Sequence, residues 1–129
     1  MVRLLHQADW GEERGRIQRL KGWVYDPLLL EAYDTLQEEA LFPSAIHGPA
    51  HIHRVLLLSA RVCQGGGVGE GMVRQVFRAA SYHDVGRTFD GYDVDHGARS
   101  ALRLAELTGQ TGEALRELQA AVTAHARPD

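Results

Sequence analysis

Residues 70–86 read EGMVRQVFRAASYHDVG, and this stretch decides both the fold and the site. Apolar side chains recur in it at spacings of three and four, which is the pattern of an amphipathic helix. We expect the helix to run from Glu70 to about Tyr82, with five core-facing side chains: Met72, Val73, Val76, Phe77 and Ala80. The C-terminal end of this helix then carries His83 and Asp84, two residue types that bind metal ions.

The adjacency of His83 and Asp84 is informative because neighbours in a regular helix point about 100° apart. Both side chains can reach one ion only where a helix ends and the backbone turns, and Val85-Gly86 follows directly. Imidazole with carboxylate suits borderline and first-row divalent cations. Histidines from elsewhere in the chain are candidates to join them, namely His47, His51, His96 and His125. The alternative for the doublet is a plain helix end with a partly buried histidine.

Helical periodicity continues on both sides of this stretch, whereas no period-two strand pattern and no internal repeat is found. The expected helices run from Pro27 past Leu36 to a stop at 42–44, from 48–49 to 65–67, from about His96 to Leu107, and from 111–112 to His125. A polar loop is expected at 85–95. The sequence therefore predicts an all-α fold: a single compact domain of about five to six helices over residues 26–129, after an N-terminal helical extension over residues 1–25.

Composition excludes several classes of protein. The chain has 129 residues, of which 44% are hydrophobic and 24% charged, which is ordinary for one globular domain. A net charge of −3 makes nucleic-acid binding unlikely, and the basic segment 14–21 is expected to be a solvated helix face. Cys63 is the single cysteine, which predicts a reducing cytoplasm. No apolar run approaches the roughly 18 residues that cross a bilayer.

Four motifs occur in an order that resembles the HD-domain superfamily of metal-dependent phosphohydrolases. They are His51-x-x-Arg54-Val55, His83-Asp84-Val85-Gly86-Arg87, Asp95-His96-Gly97-Ala98-Arg99-Ser100-Ala101 and Ala121-Val122-x-x-His125. The motifs span residues 47–125, about three fifths of the chain. Four motifs in this order are far more specific than an isolated His-Asp pair. The family is all-helical, which agrees with the periodicity.

The resemblance implies the metal ligands. It assigns His51, His83 and Asp84 to one divalent ion, with His96 and His125 completing a second site in members that bind two ions. The metal is expected to be Mn, Fe, Co, Ni, Zn or Mg, with one or two ions per chain. The family pattern closes with an aspartate in a later helix, and this sequence ends four residues after His125. We therefore expect residues 26–129 to lack the family's C-terminal helices. Alternatively, water or a second-site histidine fills that position.

The resemblance also implies an activity, namely hydrolysis of a small phosphoester, for example a nucleotide, by metal-activated water. A bound ion lowers the pKa of its water from about 15.7 toward 7. Asp84 is the expected ligand and orienting group, and Arg87 beside it is the expected catalytic cation for the developing phosphate charge. The alternative is a non-catalytic domain of the same type that binds a nucleotide or signal molecule or serves as an interaction module. A homodimer is a further expectation.

The remaining site candidates carry alternatives. His47, Arg54 and Arg99 are expected to bind substrate, although His47 is equally suited to capping a loop and Arg54 to pairing with an acidic residue. His125 by itself also suits a helix C-terminus, where the helix dipole favours it. His6 and His53 fall on no motif position and are expected at the surface or at an interface. Three aspartates of the polar loop could imitate a calcium loop, but the later glutamate of an EF-hand is missing; they are Asp90, Asp93 and Asp95.

Overall fold

Six α-helices and one short 3₁₀ helix form the part of the chain that this computed structural model describes, residues 26–126. The helices are α1 (Asp26–Thr35), α2 (Pro49–Gly66), α3 (Glu70–Tyr82), α4 (His96–Ala101), α5 (Leu104–Thr108) and α6 (Gly112–His125), with the 3₁₀ helix at Glu38–Ala40. These residues contain no strand, so the all-α prediction is confirmed. The extension 1–25, its basic segment and Asp129 lie outside the described residues.

Helix α3 is the centre of the packing, because α1, α2 and α6 all contact it. Val73, Phe77 and Ala80 are buried on it, as their spacing predicts. Burying a phenylalanine side chain such as Phe77 stabilises the fold by roughly 1.5–3 kcal/mol. The expectation that Met72 faces the core is wrong, since 56% of it is exposed. Met72 instead borders an open apolar groove between α2 and α3, which also leaves Val62 exposed.

Helix α1 ends earlier than its apolar pattern predicts, at Thr35 and not beyond Leu36. Two long-range hydrogen bonds account for the difference. The backbone N–H of Gln37 donates to the hydroxyl of Tyr82 at 3.0 Å, and the Gln37 side chain donates to the carbonyl of Leu107 at 3.0 Å. These partners lie at the ends of α3 and α5. The chain therefore leaves the helix because tertiary contacts hold Gln37 elsewhere.

The single helix expected from His96 to Leu107 is two helices in the structure, α4 and α5. The backbone N–H of Arg103 bonds to the carbonyl of Ser100, a spacing of three residues that tightens the chain at the junction. The Arg103 guanidinium then donates to the carbonyl of Val85 at 3.3 Å. This contact ties the junction to the turn that follows α3.

His53 is a further departure from expectation, because it is buried within the described fold and does not lie at the surface. Only 7% of it is exposed, and its Nδ1 shares a hydrogen bond with the hydroxyl of the fully buried Tyr33. The pair joins α1 to α2. None of the helices within residues 26–126 combines the length and apolar character required to cross a membrane.

Helix α4 packs on α6 at a distance that only glycine permits. A Cβ atom on Gly97 would lie 2.7 Å from the carbonyl oxygens of Val122 and Thr123, well inside van der Waals contact. Both obstacles are backbone atoms of α6, which have little freedom to move. Because His96 precedes Gly97 and His125 follows Thr123 on the facing helix, this close approach sets the distance between the two histidines.

Gly97→Ala is expected to destabilise the protein by about 1–3 kcal/mol, the usual cost of overpacking. Gly71→Ala is the matched control, because a Cβ there meets nothing within 4 Å and alanine favours helix. Urea unfolding followed by circular dichroism measures both changes. Equal stability of the two variants would show that α4 does not depend on the close contact.

Candidate metal centre

The carboxylate of Asp84 lies at the centre of a cluster of four histidines. It is buried, with 3% of the residue exposed, in the turn that follows α3. Every one of the four imidazoles places its Nε2 atom within 3.6 Å of a carboxylate oxygen; they belong to His51, His83, His96 and His125. The structure therefore brings together all five residues that the motifs assign to metal binding.

The turn after α3 orients the side chains of His83 and Asp84, because Gly86 in this turn lies directly against α4. The N–H of Gly86 donates to the Ser100 hydroxyl at 2.8 Å, and a Cβ on Gly86 would lie 2.4 Å from the Ser100 backbone nitrogen. The N–H of Arg87 bonds back to the carbonyl of Asp84 at 3.1 Å. Since the helix has ended, His83 and Asp84 can face the same point.

The first group of possible ligands, which we term the first triad, consists of His51, His83 and Asp84. The Oδ2 atom of Asp84 lies 3.1 Å from Nε2 of His51 and 3.2 Å from Nε2 of His83. The two imidazole nitrogens lie 3.1 Å apart. The three ligand atoms thus form a nearly equilateral triangle.

The second triad consists of Asp84, His96 and His125. It uses the other carboxylate oxygen, since Oδ1 of Asp84 lies 3.0 Å from Nε2 of His96 and 3.6 Å from Nε2 of His125. The two nitrogens are 2.9 Å apart. Asp84 is therefore common to both triads and presents one oxygen to each.

Backbone carbonyls fix the orientation of three imidazoles. The Nδ1 atom of His83 bonds to the carbonyl of Ala80 at 2.8 Å, and that of His96 to the carbonyl of Asp93 at 2.6 Å. The Nδ1 atom of His125 bonds to the carbonyl of Val122. A carbonyl only accepts, so Nδ1 carries the proton and Nε2 presents a lone pair in the neutral ring. Metal-binding histidines usually have this arrangement.

The spacing of the ligand atoms fits a small divalent cation. Around an ion with bonds of about 2.1 Å, neighbouring ligands are roughly 3.0 Å apart at right angles and roughly 3.4 Å apart in a tetrahedron. The separations in both triads, 2.9 to 3.6 Å, match these values. In the neutral state, the lone pairs of His96 and His125 face each other at 2.9 Å and repel unless a cation lies between them. The residues present therefore could hold a metal ion.

The electrostatics of the cluster favour ligand-competent protonation states. Burial, together with the charge of His83, lowers the pKa of His51 below its usual 6.5, and burial also lowers the pKa of His96. Burial acts to raise the pKa of Asp84, but its hydrogen bonds with His125 and His83, together with the nearby charge of Arg87, hold this pKa far below its ordinary value. The low pKa values of His51 and His96 favour their neutral, ligand-competent forms, and the low pKa of Asp84 favours the carboxylate.

Arg87, the expected catalytic cation, contacts the centre directly. Its Nε donates to Oδ1 of Asp84 at 3.3 Å, and its terminal nitrogen donates to the carbonyls of Phe89 and Gly91. Arg87 therefore links the shared carboxylate to the loop over residues 86–95.

The two other arginines of the motifs lie differently. Arg99 donates through Nε to the carbonyl of Gly86 at 2.9 Å and through a terminal nitrogen to Asp93, so it also holds the loop. Arg54 is exposed on α2. Neither arginine lines the cleft above the triads, whereas Arg87 does.

The cleft has a volume of about 360 Å³ and is open to solvent. The residues of both triads line it, and so does His47, for which substrate binding stays a prediction. Sequence reasoning missed the role of Asp90, which accepts a hydrogen bond from the Ser44 hydroxyl at 2.6 Å and pairs with Nδ1 of His47 at 2.9 Å. The crowding of aspartates in the loop was the available signal. They do not converge as a calcium loop would, because Asp90 faces His47 and Asp93 faces Arg99.

No protein-family model matches the chain, and no curated protein or solved structure matches it either. The similarity to the HD-domain superfamily thus rests on the motifs alone.

The lowered pKa values of His51 and His96 predict how the stability of the metal-free protein depends on pH. Unfolded chains take up protons on these rings near pH 6.5, whereas the folded chain takes them up only at lower pH. Protonation below about pH 6.5 therefore favours unfolding, and stability falls as the pH is lowered. Because the pKa of Asp84 is also lowered in the folded chain, protonation of this carboxylate in more acidic solution reduces the folding stability further.

Thermal unfolding in EDTA between about pH 7.5 and pH 5 measures this dependence. His96→Gln should flatten it, because one of the titrating rings is removed. A wild-type midpoint that rises on acidification would contradict the interpretation.

Proposed function

We propose that the protein is a metal-dependent phosphohydrolase of the HD type that acts on a small phosphoester, for example a nucleotide. The observation that carries this proposal is the pair of triads sharing Asp84 at the floor of an open cleft. Each triad supplies three protein ligands, and a site with three ligands keeps positions open for water or substrate, as catalytic metal sites do. The resemblance in the motifs supports the same activity.

When bound, a divalent ion supplies a water molecule of lowered pKa and an electrophilic partner for phosphate oxygens. The protein residues have separate tasks. His51 and His83 would hold one ion, His96 and His125 a second, and Asp84 would belong to both. We infer Mn, Fe, Co, Ni, Zn or Mg, since imidazole and carboxylate suit this range.

Arg87 would have two roles: attracting the phosphate of the substrate and orienting the Asp84 carboxylate. It lines the cleft, so its charge lies near an incoming phosphate, while its Nε orients the shared carboxylate. Arg99 would act indirectly, because both nitrogens with assigned partners hold the loop. A reducing cytoplasm is the compartment we propose, in view of the single free cysteine, Cys63, which is buried.

A non-catalytic domain that binds a nucleotide or signal molecule is the second candidate. The observation that favours it is the engagement of the Arg87 guanidinium with Asp84 and with two loop carbonyls. A guanidinium that is already hydrogen-bonded to protein groups stabilises the charge of a transition state less than one that is free to contact phosphate.

Metal analysis of protein loaded with Mn²⁺ and then desalted should find about two ions per chain. Asp84→Asn should lose both, because it alters a ligand common to the triads, whereas His51→Gln should lose one. Inductively coupled plasma mass spectrometry gives the ratios. The exposed Glu106→Gln is the control and should bind as wild type. Metal content that is unchanged in Asp84→Asn would exclude the proposed centre.

A screen of phosphoesters with Mn²⁺, Co²⁺, Ni²⁺ and Mg²⁺ should reveal metal-dependent turnover. Replacing His83 and Asp84 together by alanine should lower kcat/KM at least about 100-fold, more than the loss of a supporting group beyond the ligands. If the double variant still hydrolysed phosphoesters at the wild-type rate, the proposed mechanism would be excluded. Metal binding without turnover of any ester would instead favour the binding domain.

A further inference from the structure

An apolar pocket of about 520 Å³ lies between α2, α3 and α6, directly beside the metal centre. Helix α3 contributes Val76, Ala79 and Ala80 to its wall, and α6 contributes Leu118 and Ala121. Its volume is within the range of roughly 300–1,000 Å³ that is usual for small-molecule sites. Because three helices form the walls, this is a concave site and not a single exposed helix face.

The pocket continues into the open apolar groove between α2 and α3. Four residues line both of them: Val55, Ser59, Met72 and Val76. The groove then reaches Val68, in the turn before α3. From His83 back to Met72, α3 extends over roughly 16 Å at 1.5 Å per residue. Pocket and groove together are therefore elongated, a shape that suits an extended aliphatic chain better than a flat ring.

Two imidazole rings separate the pocket from the metal cleft. His83 and His125 line both cavities, and their ring centroids lie 4.9 Å apart in an edge-to-face arrangement. The Nε2 atom of each ring faces Asp84, at 3.2 Å for His83 and 3.6 Å for His125. A ligand that crosses this ring pair can thus place one end at the metal centre and the other in the pocket.

The polar groups of the pocket offer no partner for a second negative charge. Apart from the two imidazoles, three polar side chains line it: Ser59, Gln75 and Glu117. The Gln75 amide is already engaged, since it donates to the carbonyl of Ala114 and accepts from Arg78. Within residues 26–126, no lysine or arginine lines the pocket or the groove, whereas Arg87 lines the cleft. The two cavities therefore match a molecule with an anionic head and a neutral, apolar chain.

We propose that the substrate is an amphiphilic phosphoester, namely the phosphate ester of an aliphatic alcohol, whose chain occupies the pocket and extends along the groove. This inference rests on the proposed phosphohydrolase function and names the substrate class of the same centre. The phosphate lies in the cleft beside Arg87, and the chain passes over His83 and His125 toward Met72. The ligand is the free, monomeric ester.

The test measures how n-alkylphosphonates bind to the protein loaded with Mn²⁺. The carbon–phosphorus bond of these probes resists hydrolysis, so isothermal titration calorimetry reports binding separately from turnover. From ethyl- to decylphosphonate, all kept below the concentrations at which they form micelles, Kd should fall by up to about fourfold with each added methylene group. The kcat/KM values of the matching n-alkyl phosphates should rise in parallel.

Two substitutions at exposed positions locate the chain. Ala121→Leu narrows the pocket one helical turn from His125 and should abolish the gain in affinity with chain length. Ala120→Leu is the matched control, because it makes the same change at an exposed neighbour outside the pocket and should preserve the gain. Met72→Glu places a charge far from the centre, so it should weaken decylphosphonate about 10-fold and leave ethylphosphonate unchanged. Equal Mn²⁺ content and equal circular dichroism confirm that each variant is folded.

Contrary results separate this inference from the proposed function. A Kd that does not depend on chain length, in protein that hydrolyses phosphoesters, would overturn the inference alone. Binding only to vesicles of phosphatidic acid, and not to the monomeric probes, would replace the free ester by a membrane surface. If chain length has no effect and Leu58→Glu converts a dimer into monomers, the groove is an interface between two copies of the chain. If no phosphoester at all is turned over, the phosphohydrolase function fails, and the substrate class with it.

Discussion

The buried carboxylate of Asp84 has to be compensated by partners that four separate helices bring to it. An isolated buried charge costs several kcal/mol unless partners compensate it. Here the partners come from separate parts of the chain: α2 carries His51, the end of α3 carries His83, and α4 and α6 carry His96 and His125. The helix ends are therefore arranged around a single charge. A fold with this centre cannot shift one helix without also changing the surroundings of the carboxylate.

Close backbone packing at two glycines helps to maintain this arrangement. Gly86 lies against the backbone of α4, and Gly97 lies against that of α6, each with no room for a Cβ atom. The two contacts hold the turn after α3 against the second half of α4, and the start of α4 against the end of α6. Arg87 and Arg99 then tie the intervening loop to it through backbone carbonyls. Such supporting contacts decide whether ligands meet with the accuracy that a metal site requires.

The sequence predicted those features that depend on local pattern and missed those that depend on tertiary contact. Periodicity placed α3 at Glu70–Tyr82, and residue type with motif order selected the histidines around Asp84. Neither signal contains the long-range hydrogen bonds of Gln37 that end α1 early. Likewise, Asp90 and His47 are 43 positions apart, and no periodicity relates a loop to a turn. Met72 follows the apolar pattern but borders a groove, because amphipathicity does not reveal which partner helix covers a face.

The same centre links stability to the proposed chemistry. With the Nδ1 atoms of His96 and His125 donating to carbonyls, the Nε2 atoms face each other at 2.9 Å, and only a proton or a cation can relieve their repulsion. A proton brings positive charge into a site where burial already lowers the pKa of His96. A divalent ion, if bound, would be held by His96, His125 and Asp84 together and would remove this repulsion. Because ligands held in the folded chain are dispersed in the unfolded one, ion binding adds to folding stability. The arrangement that the proposed catalysis requires is thus also the one that a bound metal would stabilise.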